Sequence, residues 1–74
     1  MEELIKILED IRPDIDFANE EKLLDDGLLD SFDIITVVTE LNDHFDININ
    51  VNNITPDNLN SVAAMWELVN RLKK

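Results

Sequence analysis

At 74 residues, with 45% hydrophobic side chains and no cysteine, the chain suffices for one small domain spanning 1–74 and is too apolar for a disordered segment. Its lack of cysteine excludes a disulfide framework, a thiolate metal site and a cysteine nucleophile. Seventeen acids against six lysines and arginines give a net charge of −11, which argues against nucleic acid and anionic membranes and favours basic partner proteins. The start Met1-Glu2-Glu3 lacks the basic flank and apolar run of a signal peptide, and no apolar stretch approaches the roughly 20 residues of a membrane span. A cytoplasmic protein without membrane insertion is expected.

In chain order, Leu4, Ile5, Leu8 and Ile11 recur at helical spacing and predict a helix from about Glu2 to Ile11. Pro13 ends it, because the residue before a proline is pushed out of the helical region. From Pro13 to Asp30 periodicity fails, and a loop of that length in a small domain often carries function. Phe17, Leu23, Leu24, Leu28 and Leu29 are placed to pin it to the core, with a turn of helix expected over Glu20 to Leu24. Gly27, the only glycine, suits a turn ahead of the next helix.

That helix runs from Ser31 to about Phe45. At roughly 100° per residue, Ile34, Val37, Val38, Leu41 and Phe45 share one face, whereas Phe32 and Ile35 fall on the other beside Thr36, Thr39 and Asp43. Large apolar residues on the outer face suggest a partner-binding patch, unless the long loop folds back over them. Ile47, Ile49 and Val51 alternate with asparagines, but no second segment could pair with a strand here, so an extended connector that buries alternate residues is expected. Thr55-Pro56-Asp57-Asn58-Leu59 reads as a short helical turn with Thr55 as cap and Pro56 first. The last helix spans about Ser61 to Leu72, with Val62, Met65, Trp66, Val69 and Leu72 on one face and Arg71, Lys73 and Lys74 at its negative end.

The point where chemistry could reside is the seam Asp26-Gly27-Leu28-Leu29-Asp30-Ser31-Phe32-Asp33. Asp30 is a good N-cap, and Asp33 stands in the acidic place of a capping-box pair. Ser31 then takes the first helical position, where unsatisfied N–H groups and the helix dipole favour an anion such as phosphate. Other sites fare worse. His44, the one histidine, lies roughly 20 Å along the same helix from Ser31, too far to activate it, and reads as a solvated or partner-facing residue. An EF-hand loop beginning at Asp14 would find Ala18 and Asn19 where a ligand and a glycine are needed, and no usable spacing follows Asp25, so no metal site is expected. Ser61 also opens a helix but follows Asn60, and capping is its expected role.

Gly27-Leu28-Leu29-Asp30-Ser31-Phe32-Asp33 resembles the 4′-phosphopantetheine attachment motif of acyl carrier proteins and peptidyl carrier domains, and Phe45-Asp46-Ile47 and Ile54-Thr55-Pro56-Asp57-Asn58-Leu59 are similar to later carrier segments. The resemblance implies an all-α fold, a small right-handed four-helix bundle with a long loop between the first two helices and a short third helix. It implies a 4′-phosphopantetheine arm on Ser31, derived from coenzyme A and attached by a phosphopantetheinyl transferase. It further implies an acyl or aminoacyl cargo carried as a thioester between enzymes of fatty acid, polyketide, peptide or related biosynthesis.

Such a protein is not itself an enzyme. It is expected to be a monomer whose partners, the transferase and the loading and processing enzymes, present basic docking surfaces. Asp30, Phe32, Asp33 and Ile35 match the family's docking positions, and Glu40 and Asp43 continue the acidic surface. Thr36, Thr39, Asn42 and His44 depart from the fatty-acid-synthesis pattern, which leaves a D-alanyl carrier for cell-wall polymers open as an alternative. A different class of reading is an unmodified acidic helical interaction module.

Overall fold

The computed structural model describes residues 2–73. Four α-helices follow one another: α1 (Glu2–Ile11), α2 (Ser31–Phe45), α3 (Pro56–Leu59) and α4 (Val62–Leu72), with a 3-10 turn at Val51–Asn53. They form a small acyl-carrier-like bundle, with no strand among the described residues. Lys74 and Met1, to which the sequence assigns a charge at the negative helix end and part of an unsuited leader, lie outside the described residues.

α1 packs on α2 and α4, and α3 packs on α4. Arg12, just past the end of α1, meets Asp33 in the first turn of α2, while Glu3 at the start of α1 meets His44 near the end of α2. The two helices are therefore antiparallel. Leu4, Leu8, Val37, Leu41, Leu59, Met65, Leu68 and Val69 are almost wholly buried in the core shared by the four helices, each a side chain whose removal would leave a cavity. The radius of gyration of 10.9 Å is close to the roughly 11 Å of a close-packed chain of this length, so the long loop is folded in.

The loop enters the core through Phe17, Leu23 and Leu29, with Leu24 and Leu28 half-buried, as expected, and through Ile15, which the periodicity did not select. Its helical turn does not lie over Glu20 to Leu24. The Leu23 N–H is bonded to the Asn60 carbonyl, and helix-like bonds fall to either side, Glu20 N–H to Asp16 O at 3.1 Å before it and Asp26 N–H to Lys22 O at 2.8 Å after it, the second turn closed by Gly27 at φ +71°. At +71° a side chain would be strained, which is why the lone glycine stands there.

Three further details depart from the sequence reading. Val51 is 79% exposed: alternation holds at Ile47 and Ile49 and then breaks, because Asn50 caps the 3-10 turn by accepting from the Asn52 N–H. Thr55 takes the cap position of α3 without a side-chain cap bond, its carbonyl instead accepting from Asn58 and Leu59. In α4 the buried face is Val62, Met65, Leu68 and Val69, while Trp66 and Leu72 are only half-buried; Trp66 sits edge-on to Phe45 at 6.0 Å and completes the far end of the bundle.

Candidate functional site

The start of α2 is built from its first four residues. Asp30 is extended (φ −87°, ψ 179°), so its carboxylate turns back to accept the Asp33 N–H at 2.8 Å, and the Asp33 carboxylate accepts the Asp30 N–H at 3.3 Å. The Asp30 carbonyl takes the Ile34 N–H at 3.0 Å. The capping box is complete, and Ser31 is the first helical residue, as the sequence predicts. Its side chain is exposed. Among the described residues neither its hydroxyl nor the N–H groups of Ser31 and Phe32 have a hydrogen-bond partner. A free hydroxyl beside two open N–H donors at the positive end of a 15-residue helix is suited to accept a phosphate ester.

One residue that the sequence analysis did not select governs this end. Arg12 donates through Nη1 to the Asp33 carboxylate and, at 3.2 Å, to the Leu28 carbonyl, while Nε and Nη2 grip Asp14 at 3.0 and 2.9 Å. It joins the exit of α1, the residues before Ser31 and the first turn of α2. The bonds to Asp14 and then Asp33 push the Arg12 guanidinium pKa up, and the Arg12 bond holds the Asp14 carboxyl below its ordinary 3.8. Asp33 is consequently only 15% exposed and already paired, whereas Glu40, Asp43 and Asp30, whose carboxylate caps the helix, are exposed. The only sequence signal for Arg12 was a lone cation between two acidic stretches.

Phe32 and Ile35 are 77% and 62% exposed, so the loop does not fold over them. The hydroxyls of Thr36 and Thr39 on the same face bond back to the carbonyls of Phe32 and Ile35 at 3.1 and 2.8 Å. With those donors spent inside the helix, the face beside Ser31 presents methyl groups and rings to solvent. Ile34, Val37 and Leu41 point the other way, into the core.

The other candidates resolve as separate features. Ser61 is an N-cap whose hydroxyl accepts the Ala64 N–H at 3.1 Å. His44 sits at the opposite end of α2 from Ser31, with Nε2 2.9 Å from a Glu3 carboxylate oxygen. That hydrogen bond is the main reason the Glu3 carboxyl lies below its ordinary 4.5. Arg71, in the last turn of α4, also donates to Asn58 at 2.8 Å and ties α4 to α3. No helix among the described residues is long and apolar enough to cross a membrane.

Comparison with known proteins shows the family of the chain. The phosphopantetheine attachment site family matches residues 2–69. The D-alanyl carrier protein of Streptococcus mutans is 31% identical over 72 residues, covering 96% of this chain and 91% of that protein. No solved structure gives a significant match. An exposed, unbonded serine at a capped helix start, within a four-helix bundle matched by that family over nearly its whole length, leads to one conclusion: the chain belongs to the phosphopantetheine-bearing carrier proteins.

Proposed function

We propose that Ser31 is the attachment residue and that the chain, without being an enzyme, shuttles an acyl or aminoacyl group between cytoplasmic enzymes. The observation that supports it is the unpaired Ser31 hydroxyl beside two unpaired N–H groups at a dipole-favoured helix start. In the attachment step the Ser31 Oγ forms a bond to the β-phosphorus of coenzyme A. The pyrophosphate linkage breaks, adenosine 3′,5′-bisphosphate leaves, and the hydroxyl proton passes to a base on the transferase, since His44 is at the far end of the helix, paired with Glu3. The arm, once attached, supplies the thiol that this cysteine-free chain lacks.

Asp30, Glu40 and Asp43 offer the acidic part of the docking surface and Phe32 and Ile35 its apolar part, with Asp33 at its edge acting through the Arg12 pair. Basic surfaces on the transferase and on the loading enzymes complement that arrangement. The protein works as a monomer. Incubation with coenzyme A and a broad-specificity phosphopantetheinyl transferase, followed by peptide mass mapping, tests the site. One arm on the peptide holding Ser31 is the expected result, and no addition would return the chain to an unmodified interaction module.

The relative from Streptococcus mutans favours a second, finer reading, that the cargo is D-alanine. It is tested by offering the holo form D-alanine, L-alanine and short fatty acids, each with ATP and a matching adenylating enzyme. Preferential thioester formation with D-alanine supports it, and equal or better loading with a fatty acid overturns it.

A further inference from the structure

Asn60, the single residue between α3 and the cap of α4, uses nearly all of its hydrogen-bonding capacity on the loop that precedes Ser31. Its side-chain oxygen accepts the N–H groups of Leu24 at 2.8 Å and Asp25 at 3.1 Å, and its side-chain nitrogen donates to the Asp25 carboxylate at 3.1 Å. Its backbone carbonyl accepts the Leu23 N–H at 2.9 Å, and its own N–H closes α3 on the Pro56 carbonyl at 2.9 Å. The chain then passes the hold forward, because the Leu23 carbonyl accepts the Leu29 N–H at 3.1 Å, one residue before the Asp30 cap. Only an amide side chain of this length supplies both a double acceptor and a donor here.

We infer that Asn60 is a positioning residue for Ser31: it clasps the loop at Leu23–Asp25 and so holds the Asp30-Ser31 seam in the geometry a phosphopantetheinyl transferase must engage. The inference rests on Ser31 being the attachment residue. A loop released at this point populates its docking-competent form for a smaller fraction of the time, and apparent affinity falls by that fraction while the chemistry after docking is unchanged. The effect therefore belongs in KM and not in kcat.

An exchange of the two side chains tests the inference. In Asn60→Asp the acceptor survives, but the donor to Asp25 is replaced by a carboxylate facing a carboxylate. In Asp25→Asn the Asn60 donor still finds an oxygen. In the double variant the carboxylate at 60 accepts from the amide at 25, and the net charge equals that of the original protein. Expected are a several-fold rise in the transferase KM for apo Asn60→Asp at unchanged kcat, little change for Asp25→Asn, and return to near the original KM in the double variant. Amide hydrogen exchange at Leu24 and Asp25 should accelerate in Asn60→Asp and recover in the same double variant.

A double variant as impaired as Asn60→Asp, or an Asn60→Asp protein with the original KM and exchange rates, overturns the proposal. Should Asn60→Asp lose helix by circular dichroism, the double variant alone decides, since a clasp predicts its recovery. Peptide mapping of the unsubstituted protein keeps the two ideas apart. An arm absent from Ser31 defeats the attachment assignment, and the exchange rates at Leu24 and Asp25 still report on the clasp.

Discussion

Ser31 and Ser61 both open a helix of this bundle, and they spend their hydroxyls differently. Ser61 is the cap itself, extended at φ −143°, and its oxygen is consumed by the Ala64 N–H. Ser31 stands one place further in, because Asp30 already fills the cap and Asp33 closes the box. A shift of one residue along the helix start thus decides whether a serine hydroxyl is structural or free. The surroundings differ as well: the first turn of α2 carries Asp33 and follows an acidic loop, whereas that of α4 has no acid. A serine at a helix start keeps its hydroxyl free when another residue takes over the capping.

The sharpest way to break that comparison is to remove each serine. Ser31→Ala should abolish arm attachment completely and Ser61→Ala should leave it intact, as read by whole-protein mass. Asn60→Asp sharpens the point, since it puts an aspartate directly ahead of Ser61; no arm should appear there, because that hydroxyl remains a cap. An arm on Ser61 in that variant would show that the dipeptide matters and the cap position does not.

Next in size is the contrast between the two faces of α2. Leu41 is fully buried, and its truncation to Ala should cost about 2–5 kcal/mol, lowering the melting point by roughly 10 °C or more in a domain of this size. Phe32→Ala should melt close to the original protein and be modified more slowly. If Phe32→Ala melts as early as Leu41→Ala, the exposed face is core and the docking surface is wrong.

A smaller difference lies in stability at the two helix starts. Loss of the Ser61 cap should cost about 1 kcal/mol, whereas Ser31→Ala should be nearly neutral because Asp30 still caps α2. Equal shifts in the melting points of the two variants would mean that Ser31 also spends its hydroxyl on the fold.

The smallest effect concerns acid. Asp14 is held below its ordinary 3.8 chiefly by Arg12, so near that pH the native state binds fewer protons than the unfolded chain. The pair's contribution is present above 3.8 and is lost as pH falls through the lower native value. Arg12→Ala should melt slightly below the original protein near neutrality, and the gap should close as pH falls below 3.8 and through the lowered native value of Asp14. A gap that persists in acid would locate the role of Arg12 in its bond to the Leu28 carbonyl rather than in its carboxylates.

Much of this was legible in the residues themselves. The bounds of α1 and α2, the cap at Asp30, the place of Ser31 and the outward turn of Phe32 and Ile35 follow from local periodicity and capping chemistry, which act over a few residues. The family motif lies in the same short stretch, so the candidate site was readable with it. Long-range features were less so. The Glu20–Leu24 turn was misplaced because the Leu23 N–H has its partner at Asn60. Val51 broke the alternation because its neighbour Asn50 could cap a turn, and nothing in a period of two encodes that choice.

By itself, then, the chain's order of side chains determined where helices begin, which face of each is apolar and which serine stands free at a capped start, since all three depend on neighbours within about one helical turn. Only the tertiary structure decided that Arg12 would pair with Asp33 and Asn60 would take hold of Leu24 and Asp25. Those bonds join residues far apart in sequence, and they form because packing α1 on α2, and α3 on α4, brings distant ends of the chain together, so that charged side chains meet and a part-buried backbone group such as the Leu24 N–H is satisfied by the side chain that arrives beside it.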